Sequence, residues 1–188
     1  LFATVLLAAV MLLAAGRLAP ASAAIIDAPV PTNAYITFEG LDWAWGGPCA
    51  FGFGCGDTQI DYQAALGWRV PTPAELALIP VNFALLFVFD GANVPHDGAD
   101  PVSGAFFWGG GPSGAAACAT PYFSSSFSHC DWFDGAFGAW AGLPNYGGLD
   151  EQLYVRGDAL GIAEPASLAL VGPALAGLAL LRRRNRPD

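Results

Sequence analysis

Gly67-Trp68-Arg69-Val70-Pro71-Thr72-Pro73-Ala74-Glu75-Leu76 is the most informative stretch of the chain. The Thr72 hydroxyl is placed to accept from the amide of Glu75, and the Glu75 carboxylate to accept from the amide of Thr72. With Pro73 at the first helical position, this reciprocal pair is a strong helix start. The spacing predicts a helix running to about Ile79. Trp68 and Leu76 are expected to face inward, and Arg69 to pair with a carboxylate. Upstream, Thr58 to Leu66 reads as another helix, beginning after Asp57 and stopped by Gly67. Apolar runs at Ala34–Phe38, Phe83–Phe89, Ala105–Trp108 and Gln152–Arg156 read as strands, separated by Gly, Pro and Asp clusters. The expected fold class is α+β, a single loop-rich domain with two short helices and long loops between Asp90 and Tyr146.

The 188 residues suffice for one domain. All seven basic residues are arginine, set against 16 acids, for a net charge of −9. Nucleic acid is excluded as a partner, because phosphate binding rests on Lys and Arg. Hydrophobic residues make up 54% of the chain and mean hydropathy is +0.46, and this surplus sits at the two ends. Leu1 to Ala15 is almost wholly apolar and is followed by Ala21-Ser22-Ala23, which puts small residues Ala21 and Ala23 at −3 and −1 of a cut. Residues 1–23 therefore read as a secretory signal peptide, with the secretion translocon and signal peptidase as partners. At the other end, Ala166 to Leu181 is a 16-residue apolar run, about 24 Å as a helix and short for a membrane core of about 30 Å. Arg182, Arg183, Arg184 and Arg186 follow as a stop-transfer cluster that would remain cytoplasmic.

Ala163-Glu164-Pro165, the apolar run and the arginine tail together resemble the bacterial PEP-CTERM sorting signal over residues 163–188. The resemblance implies membrane anchoring through the C-terminal hydrophobic helix. It also implies cleavage by an exosortase, a membrane-embedded cysteine peptidase of Gram-negative bacteria that make extracellular polysaccharide. Ala163 stands where the family has its first proline. The Gly67 to Leu76 stretch also resembles a motif of a bacterial surface domain similar to C-type lectins. Tyr122-Phe123-Ser124-Ser125-Ser126, Ala139-Trp140 and Leu153-Tyr154-Val155-Arg156 echo its later landmarks in order. Phe123 and Val70 depart from the pattern. The resemblance implies a C-type-lectin-like fold in which Trp68, Arg69, Pro71, Thr72 and Glu75 serve the structure.

Residues 24–162 are then the exported acidic domain. Ala24 to Ala163 carries Arg69 and Arg156 against 14 acids, a net of −12. Its 23 aromatic residues argue for a packed core rather than a disordered linker. Cys49, Cys55, Cys118 and Cys130 all lie in this region and read as two disulfides. Three connectivities are open, of which local pairing, Cys49 to Cys55 and Cys118 to Cys130, closes the shortest loops. Asp90, Asn93, Asp97 and Asp100 gather oxygen ligands in eleven residues and form a candidate calcium loop, though Asp-Gly pairs equally serve tight turns. No other cofactor is expected. A Ser-His-Asp hydrolase built on Ser124 and His129 lacks a Gly-x-Ser-x-Gly elbow, so no catalytic residue is expected. Trp43, Trp45, Trp108, Trp132 and Trp140 read first as core residues and second as platforms for sugar rings.

The whole reads as a secreted, exosortase-sorted protein of the cell surface or extracellular matrix, structural or adhesive, with extracellular polysaccharide as a candidate partner. The alternatives are a permanently membrane-anchored surface protein or an enzyme on a lectin-like fold.

Overall fold

The computed structural model describes residues 25–49, 55, 58–143 and 150–157. Residues 1–23, read as a signal peptide, and residues 163–188, read as a sorting signal, lie outside the described residues, with every residue expected to act there. The architecture is mixed α and β, with short helices and small sheets. Among the described residues the strands are β1 (Tyr35–Phe38), β2 (Leu41–Cys49), β3 (Phe106–Trp108), β4 (His129–Asp131) and β5 (Asp150–Arg156). The helices are α1 (Asp61–Ala65), α2 (Pro73–Leu76), α3 (Thr120–Phe123) and α4 (Trp132–Ala136), with a 3₁₀ helix at Phe83–Phe87.

β1, β2 and β5 form an antiparallel sheet in that order, with Ile36 opposite Trp43 and Trp43 opposite Val155. Side chains alternate across a strand, so Leu41, Trp43 and Trp45 share one face of β2, and Ala44 takes the other. The first face packs with Leu153, Val155, Phe83, Phe87 and Trp140. The second packs through Ala44 and Tyr154 against Trp68, Phe123 and Val30. A sheet covered on both sides explains why six of the seven β5 residues are buried, acids included. Burying each large side chain contributes roughly 1.5–3 kcal/mol, so the tryptophan cluster around Trp45 is a main source of stability.

The Gly67 to Leu76 stretch folds as expected. Thr72 Oγ1 accepts from Glu75 N at 3.3 Å, Glu75 Oε2 accepts from Thr72 N at 2.7 Å, and Pro73 opens α2. Arg69 grips the same carboxylate with two guanidinium bonds of 2.8 and 2.6 Å. Trp68 and Leu76 are buried. The local disulfide pairing also holds, with Cys49 bonded to Cys55 and Cys118 to Cys130. The 12-residue separation of the second bridge is worth about 3 kcal/mol in the chain-entropy account.

Other expectations need correction. Phe83–Phe89 is not a strand: Phe83, Ala84 and Phe87 are buried while Leu85 and Leu86 face out, the one-sided pattern of a helical turn rather than alternation. The two expected helices are four among the described residues, and the expected pair are shorter than read. α1 covers Asp61–Ala65 within the expected Thr58–Leu66, and α2 ends at Leu76 rather than Ile79. β2 was hidden by Gly46-Gly47-Pro48, which reads as a turn but forms a bulge between Trp45 and Gly47 within a paired strand.

Candidate functional site

The fate of the tryptophans locates the site. Trp43, Trp45, Trp68 and Trp140 are fully buried, and Trp132 is half-buried against the core. Trp108 is 62% exposed. It ends β3, which pairs in parallel with β4 so that Trp108 lies opposite Asp131 and Phe106 opposite His129. β4 is fastened to the core by the Cys118–Cys130 disulfide. The His129 ring, enclosed by Phe106 and Phe127, meets Trp108 edge-on at 5.6 Å. Burial lowers the His129 pKa, so the ring supports Trp108 as a neutral group. The indole is thus exposed on a rigid mount.

A groove of about 330 Å³ opens beside it. One wall is the loop carrying Val94, Pro95 and Asp97, and the other is the turn Gly109-Gly110-Gly111. That turn needs glycine: all three residues have positive φ, and a Cβ on Gly109 would overlap the Phe133 ring. The backbone therefore lies directly on Phe133. Phe133 is oriented by Asp131, whose Oδ1 accepts from Phe133 N at 3.0 Å and Asp134 N at 3.4 Å to cap α4. Across the groove, His96 Nδ1 donates to the Pro112 carbonyl and Nε2 lies 2.9 Å from Asp97 Oδ2. Both contacts are hydrogen bonds only when the ring carries both protons. The bond to Pro112 joins the loop to the turn, and the contact with Asp97 stays within the loop. Exposed indole, carboxylate and backbone groups around a preformed groove suit a sugar ring, which offers an apolar face and hydroxyl edges.

The four candidate calcium ligands fall into two groups. Asn93 and Asp100 are buried and satisfied by protein: Asn93 Nδ2 donates to Asp100 Oδ2 at 3.2 Å and to the Cys118 carbonyl at 3.0 Å, while Cys118 N donates to Asn93 Oδ1. Asp100 also accepts from Val102 N and Ser103 Oγ. Asp90 and Asp97 are exposed. Among the described residues no group of three or more His, Cys, Asp or Glu is arranged to hold a metal. These residues lock the loop that walls the groove. Ser124 Oγ accepts from the Ser126 and Phe127 amides and shapes the turn before β4.

A second acidic corner lies behind α4. Glu151 is fully buried, its Oε2 accepting from Trp45 Nε1 at 2.5 Å and its Oε1 without a partner. Both Asp150 oxygens are likewise buried and unpartnered. Burial pushes the Glu151 and Asp150 carboxyls up, and burial with Asp131 and Asp150 nearby raises Asp134 to about 6.

Reading the sequence found Trp108 only as one of five candidate platforms and missed Phe133, Phe137 and the glycine turn. The signal was present in Phe106-Phe107-Trp108-Gly109-Gly110-Gly111, a strand ending in an aromatic before a turn, and in Asp131 as a helix cap three residues before Asp134. No family model, curated protein or solved structure matches this chain.

Proposed function

We propose that this chain is an exported protein of the cell surface or extracellular matrix with an adhesive role, binding extracellular polysaccharide at the Trp108 groove. The observation that carries the reading is Trp108 itself. Four tryptophans fill the core, yet this one is held out in solvent beside a preformed groove by a disulfide-pinned strand. Exposing a large aromatic forgoes burial energy, and an indole held beside a groove offers a ligand both an apolar face and a shaped site.

The two disulfides are the chemistry of an oxidising, exported or extracellular setting. The sequence pattern at residues 1–23 and 163–188 supports export through the translocon, signal-peptidase cleavage after Ala23, and transient anchoring by the C-terminal helix. Exosortase would then sort the chain at Ala163-Glu164-Pro165 in a Gram-negative host. The C-type-lectin-like resemblance accords with a binding module.

The test is intact mass from the native host with and without reductant, followed by pull-down on extracellular polysaccharide. A chain from Ala24 to near Pro165 that gains about 4 Da on reduction and is retained through Trp108 supports the reading. Retention of Arg182 to Asp188 would make it a permanently anchored protein. No saturable binding to any polysaccharide would remove the adhesive role.

A further inference from the structure

We propose that the Trp108 groove continues over Gly109 onto Phe133 and Phe137 as one aromatic ledge that takes several consecutive units of a polysaccharide lacking acidic groups. This rests on the polysaccharide-binding reading above and narrows the ligand. The continuity is geometric. The backbone after Trp108 lies against Phe133, since a Cβ on Gly109 would overlap its Cδ2 and one on Gly110 would be 4.0 Å from Cζ. Phe133 and Phe137 then stack with centroids 6.1 Å apart and planes within 13°. Phe133 is 53% exposed and Phe137 80%, so the two rings extend the exposed face begun by Trp108. Three exposed aromatic side chains in succession offer apolar contact to more than one sugar unit of a chain.

Charge decides the polymer class and argues against a second copy of this chain. The region from Ala24 to Ala163 carries two arginines against 14 acids, a net of −12. Both arginines are engaged elsewhere. Arg69 holds Glu75; Arg156 holds Asp42 at 2.7 Å and lies over the Tyr35 and Trp68 rings. The ledge is flanked instead by Asp97, Asp131 and Asp134, with His96 against Asp97 and the His129 ring, whose pKa burial lowers, behind Trp108. Uronate carboxylates, or another acidic copy, would meet like charge, whereas sugar hydroxyls can donate to these carboxylates.

The experiment is affinity electrophoresis and titration of the oxidised full-length chain against an uncharged glucan, an uncharged galactomannan, polygalacturonate, and a series from one to six sugar units. The expected result is binding to an uncharged polymer, none to polygalacturonate at low salt, and affinity that rises with length. Phe137→Ala should weaken the long ligand about five- to tenfold and leave single-sugar binding unchanged, while Trp108→Ala weakens both. Phe137 is too exposed for its removal to disturb the fold, and unchanged thermal unfolding of the variant verifies this. Equal or tighter binding of polygalacturonate overturns the inference but leaves the adhesive reading standing, as does affinity independent of length or of Phe137. No binding to any of the polymers overturns both. Self-association lost in Phe137→Ala, with no glycan bound, assigns the ledge to a second copy and overturns the inference.

Discussion

Glu75 and Glu151 are both buried carboxylates placed next to a tryptophan-rich core, and their surroundings are opposite. Glu75 receives two bonds from Arg69, one from the Thr72 amide and one from the Thr72 hydroxyl. The Arg69 hydrogen bonds, opposed by burial, hold its carboxyl down to about 2. Glu151 receives the Trp45 indole and a backbone bond from Asp131 but keeps Oε1 without a partner, and burial drives its carboxyl well above the usual range. The first carboxylate closes a structural corner; the second puts an incompletely satisfied acid under the element that carries Phe133. Burying charge is tolerated where it is paired, and a buried acid with few partners stays neutral. The same side chain is thus favoured as an anion at one corner, while burial at the other corner opposes its ionisation.

Applying one isosteric change to both corners separates them. Glu75→Gln should be the more damaging, by about 2–3 kcal/mol in chemical denaturation of the oxidised protein, because it leaves the Arg69 guanidinium without its counter-charge and weakens the cap. The value falls below that of a fully buried pair because Arg69 is 41% exposed. A loss under about 0.5 kcal/mol would show the corner to be merely a surface pair.

Next in size is Gly135→Ala in α4. A Cβ there would overlap the Trp45 ring and approach Trp140 at 3.1 Å, so the indole that donates to Glu151 must shift. Overpacking of this kind costs about 1–3 kcal/mol. A thermal scan is expected to show a drop of several degrees, together with a lowered Glu151 pKa as water reaches the corner. A neutral outcome would mean that α4 slides freely over Trp45 and that packing does not dictate the state of Glu151.

The two corners respond to pH in opposite directions. For Asp134, Asp150 and Glu151 the folded state raises the carboxyl, so their contribution is fully present below the unfolded value and is lost as pH rises through the folded one. For Glu75 the folded state lowers it, so its contribution is present above the unfolded value and is lost as pH falls toward about 2. The melting temperature should therefore climb by a few degrees between pH 7 and about pH 5 and fall again below about pH 3. Asp134→Asn should flatten the upper limb alone, and Glu75→Gln the lower limb. A profile that declines steadily from pH 7 downward would contradict the raised corner.

The two corners also differ in how far the sequence discloses them. Arg69, Thr72 and Glu75 fall within seven positions, so the cap and its ion pair follow from local rules. Glu151 and Trp45 stand 106 positions apart, and only the β2–β5 register brings them together. The same distinction governs the candidate site. The Cys118–Cys130 bridge and the β3 strand are local and legible, whereas Trp108 and Trp45 both precede glycine runs that read as turns, so the local signal at Trp108 does not single it out. What separates them is that β2 is sandwiched between two layers while β3 lies against β4 beside the groove. The apolar run Phe83–Phe89 shows the reverse error: its composition suits a strand, and only the packing of Phe83 and Phe87 against Trp43, Trp45 and Trp140 selects a helical turn.

The smallest expected effect is the most discriminating. Glu151→Gln preserves shape and leaves an oxygen to accept from Trp45 Nε1, so it mimics the neutral acid that burial already favours. At pH 7 its stability should lie within about 1 kcal/mol of the parent, with either sign, because the substitution removes a charge-forming group from a dry site but adds an amide with two protons to place. The upper limb of the pH profile should flatten as it does in Asp134→Asn. Should the loss instead match that of Glu75→Gln, Glu151 must be ionised and held by a counter-charge, and the two corners would be alike. Equilibrium denaturation at pH 5 and pH 8 separates the cases: a neutral Glu151 predicts that the variant gains on the parent as pH rises, and an ionised, paired one predicts a deficit that persists at pH 8.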